Sequence, residues 1–168
     1  MVELIGLVPE SIETEISAIA RLSGQLFKKT TTQSNLNPGV LLINIGLNST
    51  TLYGLDQNKG ILVYNHTFNI GLSLFIKEIQ VNLNIDAHKA SELLKSIGVS
   101  KNASYTLDII LAAALKDFLT EIQKTIGVLS STYGLSVAGM FLFQDAQKFF
   151  ELDKLIAKAF GTNASYLD

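Results

Sequence analysis

The residues of this sequence that are most capable of chemistry lie in one predicted turn between two predicted strands. Gly46, Asn48, Ser49 and Thr50 follow an apolar, strand-like run, and Asn44 stands near the end of that run. Glycine and asparagine tolerate the positive φ angles that a tight hairpin needs. Backbone N–H groups and hydroxyls at such a tip can point at an anion. The turn is therefore the candidate ligand site of the chain.

The other reactive side chains do not form a recognisable site in the sequence. The chain has no cysteine, which excludes disulfides, thiolate metal sites and thiol catalysis. His66 and His88 lack the spacing of a metal pair, and no histidine stands in a pattern typical of a hydrolytic triad. Glu13 and Glu15 diverge on a predicted helix, and Glu121 stands alone. The sequence therefore predicts neither a catalytic residue nor a metal ligand.

Length and composition limit the class of protein. The 168 residues are enough for one domain with a full core. Hydrophobic residues make up 48% and charged residues 17%, which predicts a sheet buried on both faces, or a surface that another protein unit covers. A net charge of −2 argues against nucleic acid as a partner. No apolar run approaches the ~20 residues of a membrane span, and no secretory signal is recognisable, so we expect a cytoplasmic protein without direct membrane insertion.

Hydrophobic periodicity predicts alternating strands and helices. Strands are predicted at 40–45, 50–55, 61–70, 135–143 with an interruption at Gly139, and 164–167. Helices are predicted at 12–26 with Ser11 as cap, 71–83, 86–97 with Asp86 as cap, 105–131 and 145–160 with Asp145 as cap. The last helix is predicted to turn Phe149, Leu152, Leu155, Ile156 and Ala159 inward. Three meandering strands followed by strands separated by helices predict an α/β, ribonuclease H-like fold, with a mixed five-stranded sheet and helices on both faces. The predicted organisation is a leading helix in 1–27, a linker loop at 28–38 and one lobe at 39–168.

Three segments carry a resemblance to a known family. They are 42–51 (LINIGLNSTT), the step Ile70-Gly71, and 84–94 (NIDAHKASELL). In them the chain resembles the second lobe of actin-like ATPases, specifically the PilM or competence protein A family of type IV pilus assembly, to which the cell-division protein FtsA is related. The helix 12–26 looks like the interlobe helix of that family. The resemblance runs along almost the entire chain but covers only about half of a two-lobed member.

The resemblance implies a role for the turn. In the family the matching hairpin is a phosphate-binding loop that begins with an aspartate, whose carboxylate orients hydrated Mg²⁺. Gly46, Asn48, Ser49 and Thr50 stand at the turn here, but the aspartate position is Asn44. An amide can accept a hydrogen bond, yet it supplies no charge for a metal shell.

Two other family motifs are also altered. The helix motif Ala-Glu-x-Leu-Lys, which contacts the nucleoside in the family, corresponds to 90–94 (ASELL), so both polar contacts are lost unless Glu92 or Lys95 substitutes. The adenosine loop Gly-Gly-Gly corresponds to 138–142, where Gly139 is followed by the bulky Met140 and Phe141. The resemblance therefore implies a degraded site for ATP and Mg²⁺, with the cofactor-binding candidates Asn44, Gly46, Asn48, Ser49, Thr50 and Gly139.

The expected function follows from the resemblance. It is a PilM-like structural and interaction module of a type IV pilus or competence assembly platform, at the cytoplasmic face of the inner membrane. The implied partner is the cytoplasmic tail of a membrane-embedded pilus assembly protein, and a second copy of the chain is the other expected partner. The alternative is an ATP-binding, actin-like ATPase half that needs a first lobe. A membrane tether of the FtsA type is disfavoured, because no basic amphipathic helix follows residue 168.

Overall fold

The computed structural model describes residues 14–26, 37–100, 106–144 and 148–167. In chain order the elements are α1 (Glu15–Leu26), β1 (Asn37–Ile45), β2 (Thr50–Asp56), β3 (Ile61–Phe68), α2 (Leu72–Leu83), α3 (Ala87–Ser96), α4 (Leu107–Ile110), α5 (Ala112–Tyr133), β4 (Leu135–Gln144), α6 (Leu152–Phe160) and β5 (Asn163–Tyr166). None of the helices in these four ranges has the length and apolar character needed to cross a bilayer.

The five strands form one mixed sheet in the order β3-β2-β1-β4-β5. β1 is the central strand, antiparallel to β2 and parallel to β4. This order confirms the predicted ribonuclease H-like sheet. β1 begins at Asn37, so the last two residues of the predicted linker 28–38 belong to the sheet. The remainder of that linker, and the predicted segment 1–27 up to residue 13, lie outside the described residues.

The helices divide unequally between the two faces of the sheet. Leu41 and Ile43 of β1 point to one face and pack with residues of α2 to α6 in the main core. Val40 and Leu42 point to the other face, where a smaller core includes Ile19 of α1. Because β1 is buried on both sides, its sequence is an almost unbroken apolar run. Helices lie on both faces, as predicted.

Two helix starts show how side chains fix the element boundaries. The Asp86 carboxylate accepts a hydrogen bond of 2.9 Å from the Lys89 N–H and caps α3, as the sequence predicts. In α1 the capping side chain is Thr14, whose hydroxyl accepts from the Ser17 N–H at 3.2 Å. The predicted cap Ser11 lies outside the described residues.

The prediction of one continuous helix over 105–131 is wrong. Two helices, α4 and α5, meet at Leu111, whose ψ of −4° lies far from the helical value. Leu111 is fully buried, and its carbonyl still accepts from the Leu115 N–H at 2.8 Å. Apolar spacing continues across the break, so periodicity alone did not reveal it.

The predicted helix 145–160 begins later than expected. α6 starts at Leu152, directly after Glu151, whose φ of 59° lies in the left-handed region. Leu152 and Ile156 are fully buried and face the main core, as the sequence predicts for this helix. The predicted cap Asp145 lies outside the described residues.

β4 runs through Gly139 without the predicted interruption. The register against β1 shifts between Gly39 and Val40, which leaves Ala138 as the extra residue of a bulge. Gly139 itself pairs with Val40 on one side and with Asn163 on the other. The segment 138–142, which the resemblance matches to the adenosine loop of the family, is therefore a bulged strand here.

Candidate functional site

The turn between β1 and β2 leaves several backbone donors free. The Gly46 N–H donates to the Ser49 carbonyl at 2.9 Å and closes the turn. The N–H groups of Leu47, Asn48 and Ser49 have no acceptor among the described residues. Leu47 and Asn48 are exposed, whereas Ser49 is half-buried and its backbone nitrogen packs against Gly71. Successive free N–H groups at a turn are the geometry that binds anions in proteins.

Helix α2 supports the turn from below. Its first N–H groups, from Leu72 and Ser73, donate to the carbonyls of Gly46 and Leu47 at 3.1 and 2.8 Å. The Ser73 hydroxyl also bonds the Asn48 side-chain oxygen at 3.0 Å. The carbonyls of the turn are thereby held against the positive end of the helix dipole, which favours negative charge nearby.

Gly71 allows this close approach. A Cβ atom at this position would lie 2.6 Å from the Leu47 oxygen, the Asn48 carbonyl carbon and the Ser49 nitrogen, all of them backbone atoms. Its φ of −133° is open to any residue, so space alone demands glycine. The step Ile70-Gly71, on which the family resemblance partly rests, is thus a packing requirement of the turn.

Thr50 is committed to the fold. It is fully buried, and its hydroxyl donates a short hydrogen bond of 2.6 Å to the Ile70 carbonyl. This bond ties the start of β2 to the segment that leads into α2. The Thr50 hydrogen is consequently not available to a ligand, although the resemblance implies that this hydroxyl contacts a phosphate.

Asn44 belongs to a polar cluster that joins the sheet to α1. Its Nδ2 donates to the Glu15 Oε1 at 2.9 Å, and the Tyr53 hydroxyl donates to the same oxygen at 2.6 Å. Tyr53 is buried, and burial first, then its hydrogen bond to Glu15, raises the pKa of its hydroxyl. The Glu15 carboxylate therefore lies beside Asn44, although position 44 itself carries an amide and not the aspartate of the family.

The orientation of the Asn44 amide follows from this charge. With the amide turned over, its oxygen would face the Glu15 carboxylate, so the NH₂ group must point to Glu15. The Asn44 Oδ1 is then left buried without a hydrogen-bond partner among the described residues. An unsatisfied buried acceptor of this kind costs about 1–3 kcal/mol of stability, or is bonded by an ordered water.

Sequence reasoning missed Glu15 and Tyr53 as members of the site. Glu15 stands 29 residues before Asn44, and the chain between them includes the linker. The only usable signal was the resemblance of 12–26 to an interlobe helix, since such a helix would lie close to the hairpin. No spacing rule gives the distance between two elements that pack across a sheet.

Gly139 does not join the turn. It pairs with Val40, four residues before Asn44 on the central strand, which separates them by roughly 13 Å along the sheet. The structure brings together Asn44, Gly46, Asn48, Ser49 and Thr50, and it places Gly139 in the middle of a strand.

Two cavities of similar size among the described residues lie away from the turn. One of about 500 Å³ is at the opposite end of β4, near Gly134 and Leu135. Another of about 510 Å³ lies between α2 and α3, where Glu92 lines it together with Leu83 and Ile85. Neither contains a residue of the turn. The described residues also contain no group of three acidic, histidine or cysteine side chains that could hold a metal ion.

Comparison with solved structures identifies the architecture. The chain superposes on the PilM–PilN type IV pilus biogenesis complex with a TM-score of 0.72 and 18% identity, over 97% of this chain and 44% of that chain. MreB5 of Spiroplasma citri bound to AMPPNP matches with a TM-score of 0.59 and 16% identity, over 90% and 53% of the two chains. The archaeal actin homologue Ta0583 matches at 0.63 and 12%, over 94% and 49%. The fold is that of an actin-like ATPase lobe.

The comparison of structures bears out the resemblance to an actin-like lobe that the sequence segments 42–51, 70–71 and 84–94 carry. No protein family and no curated protein matches the sequence. The chain spans about half the length of the solved proteins it resembles. Two of the neighbouring structures, both of MreB5, contain AMPPNP or ADP, so a bound nucleotide is compatible with this fold.

Proposed function

We propose that this actin-like lobe is a PilM-like interaction module of a type IV pilus or competence assembly platform, with a degraded nucleotide site. The observation that carries the proposal is the likeness to PilM, which extends over 97% of the chain at a TM-score of 0.72. The values for MreB5 and the archaeal homologue are lower, at 0.59 and 0.63. The proposed location is the cytoplasmic face of the inner membrane.

The chemistry of the turn supports binding rather than hydrolysis. The free N–H groups of residues 47–49 suit a phosphate oxygen. The metal position is different, because Asn44 carries no charge and Thr50 spends its hydrogen on Ile70. The described residues therefore fit a phosphate at the turn and do not fit a magnesium site, and we derive no reaction step through the metal.

The proposed partner is the cytoplasmic tail of a membrane-embedded pilus assembly protein. A direct test is co-purification of the full-length protein with the detergent-solubilised membrane protein, with a tail-deleted form as the control. We expect retention of the intact partner and loss with the tail-deleted form. Equal retention of both forms, or of neither, would contradict the proposal.

A second candidate function is an ATP-binding half that needs another lobe. The Glu15 carboxylate favours it, because it places a negative charge beside Asn44, next to the turn. Under this alternative Asn44 and Tyr53 orient the carboxylate.

Mg-ATP binding to the full-length protein separates the two candidates. Leu47→Glu places a negative charge at an exposed position of the turn, and Leu47→Gln is its neutral control. A thermal shift with millimolar Mg-ATP that Leu47→Glu abolishes and Leu47→Gln preserves would establish nucleotide binding at the turn. No shift in the wild type would favour the interaction module without nucleotide.

A further inference from the structure

We propose that β3 is a pairing edge, and that two copies of this chain join through antiparallel pairing of their β3 strands. β3 is an outer strand of the sheet, and among the described residues no strand bonds its outer side. Such an edge presents a row of N–H and C=O groups to solvent and can template another strand. The inference does not depend on nucleotide binding or on a pilus partner.

The β3 edge lacks most of the features that block pairing. Its eight residues include no proline and no lysine, arginine, aspartate or glutamate. A bulge does occur, since the register against β2 shifts between Gly54 and Leu55 and leaves Val63 as the extra residue. The bulge lies near the turn and leaves Tyr64–Phe68 as a regular stretch.

The other edge of the sheet is better protected. β5 has only four residues, Asn163–Tyr166. The Lys148 ammonium lies over the Tyr166 ring, 4.6 Å from its centre, so a positive charge stands beside that short strand. β3 is therefore the edge on which pairing is more favourable.

The side chains of β3 favour a second copy as the occupant. Tyr64, His66 and Phe68 face α5, where His66 bonds Glu121 at 3.2 Å. Asn65 and Thr67 are exposed on the opposite face of the sheet. An antiparallel pair centred on His66 sets Tyr64 against the Phe68 of the other copy, and Asn65 against its Thr67. Aromatic residues then meet aromatic residues, and polar residues meet polar residues.

The lack of a net charge at the centre of the pair also permits self-pairing. The one ionisable group at the centre of the pair is His66, whose partner Glu121 is in turn bonded by Lys124 at 2.7 Å. Each copy thus brings a locally balanced network to the interface instead of a net charge. A two-fold axis through the His66 pair would make the contact isologous and closed, so that a dimer and not a filament results.

Sedimentation equilibrium of the full chain tests the inference. Variant K carries Asn65→Lys and Thr67→Lys, and variant E carries Asn65→Glu and Thr67→Glu. In the proposed register position 65 of one copy faces position 67 of the other, so each variant repels itself while the two attract each other. The matched control is Asn163→Lys with Ser165→Lys, which makes the same change at two exposed positions of β5.

The expected result is a wild-type mass that rises toward twice that of the monomer as concentration increases. Variants K and E should each remain monomeric, their equimolar mixture should regain the wild-type association, and the β5 control should associate like the wild type. Circular dichroism checks that each variant is folded. A wild type that stays monomeric up to millimolar concentration overturns the inference, as does association that variant K leaves intact or that the β5 control abolishes equally.

Discussion

The turn between β1 and β2 and the turn between β2 and β3 join neighbouring strands of the same sheet, yet their N–H groups have different partners. In the second turn the Lys59 N–H donates to the Asp56 carboxylate at 3.0 Å, and the Gly60 N–H donates to the Asp56 carbonyl at 2.8 Å. The Gln57 N–H donates to the Pro38 carbonyl at 3.0 Å. Three N–H groups of the second turn, those of Gln57, Lys59 and Gly60, are thus bonded inside the protein.

The first turn keeps its donors free because its support comes from elsewhere. The first N–H groups of α2 satisfy its carbonyls, and the N–H groups of residues 47–49 remain without an acceptor among the described residues. A turn can therefore be ordered without using its own N–H groups, if the first N–H groups of a helix donate to its carbonyls. The difference marks the first turn as the candidate binding site and the second as a structural connection.

The largest effect should come from removing the space under the first turn. Gly71→Ala places a Cβ atom 2.6 Å from three backbone atoms of the turn, which cannot move as a flexible side chain could. We expect a loss of about 3 kcal/mol in the free energy of unfolding, measured by urea denaturation.

The matched control for Gly71→Ala is Gly127→Ala. A Cβ at Gly127 of α5 meets nothing within 4 Å, and alanine is the better helix former. The control should be neutral or slightly stabilising. A loss of the same size in both variants would show that Gly71 does not act through the turn.

The next largest effect should come from the second turn. Asp56 is 3% exposed, and Asp56→Ala removes the acceptor of the Lys59 N–H and the carboxylate of an ion pair at 3.1 Å. We expect a loss of about 2 kcal/mol in urea denaturation. The control Lys59→Ala keeps the backbone hydrogen bond and should cost clearly less. Equal losses would mean that the ion pair stabilises this turn, and not the hydrogen bond from the Lys59 N–H to the Asp56 carboxylate.

The fold was predictable from sequence because its signals are local. The apolar run 40–45, the turn residues after it, and Asp86 before α3 each act through neighbours in the chain, and each prediction was confirmed. The break at Leu111 was not predictable, since apolar spacing continues through it.

The candidate site was only half predictable for the same reason. The turn residues were found, because a turn is a local structure. Glu15 and Tyr53 were not found, because their contact depends on where α1 lies across the sheet. Gly139 was predicted to interrupt its strand and was matched through the resemblance to the adenosine loop, because a single glycine does not distinguish an interruption from a bulge in a continuous strand.

The polar cluster beside the first turn offers a smaller and more specific test. Asn44→Asp replaces the donor to Glu15 with a second carboxylate, so the hydrogen bond of 2.9 Å becomes a repulsion between like charges. We expect a loss of about 1 kcal/mol or more. Combining it with Glu15→Gln exchanges the charge between helix and strand and should recover most of that loss. If the double variant is as unstable as the sum of the single variants, Glu15 and Asn44 are not coupled.

The smallest expected effect concerns how the β3 hairpin is attached to α5. Hydrogen bonds from Lys124 first, and then from His66, lower the pKa of Glu121 below its ordinary value of 4.5. A carboxyl group whose pKa is lower in the folded state stabilises the fold at pH values above its unfolded pKa, and this stabilisation is lost as the pH falls through the folded value. For a partly exposed pair such as His66 and Glu121 the contribution should be below ~1 kcal/mol.

The measurement is the urea midpoint of the wild type and of Glu121→Gln at pH 7 and pH 3. The difference between the two proteins should be present at pH 7 and should shrink as the pH falls toward 3, because a carboxyl group that becomes protonated loses the charge that distinguishes it from glutamine. The control Glu92→Gln, on the exposed surface of α3, should track the wild type at both pH values. A Glu121→Gln deficit that persists unchanged at pH 3 would mean that packing, and not charge, holds β3 against α5. The β2–β3 hairpin would then be held against α5 by side-chain packing alone, as the β1–β2 turn is held against Gly71 by close packing.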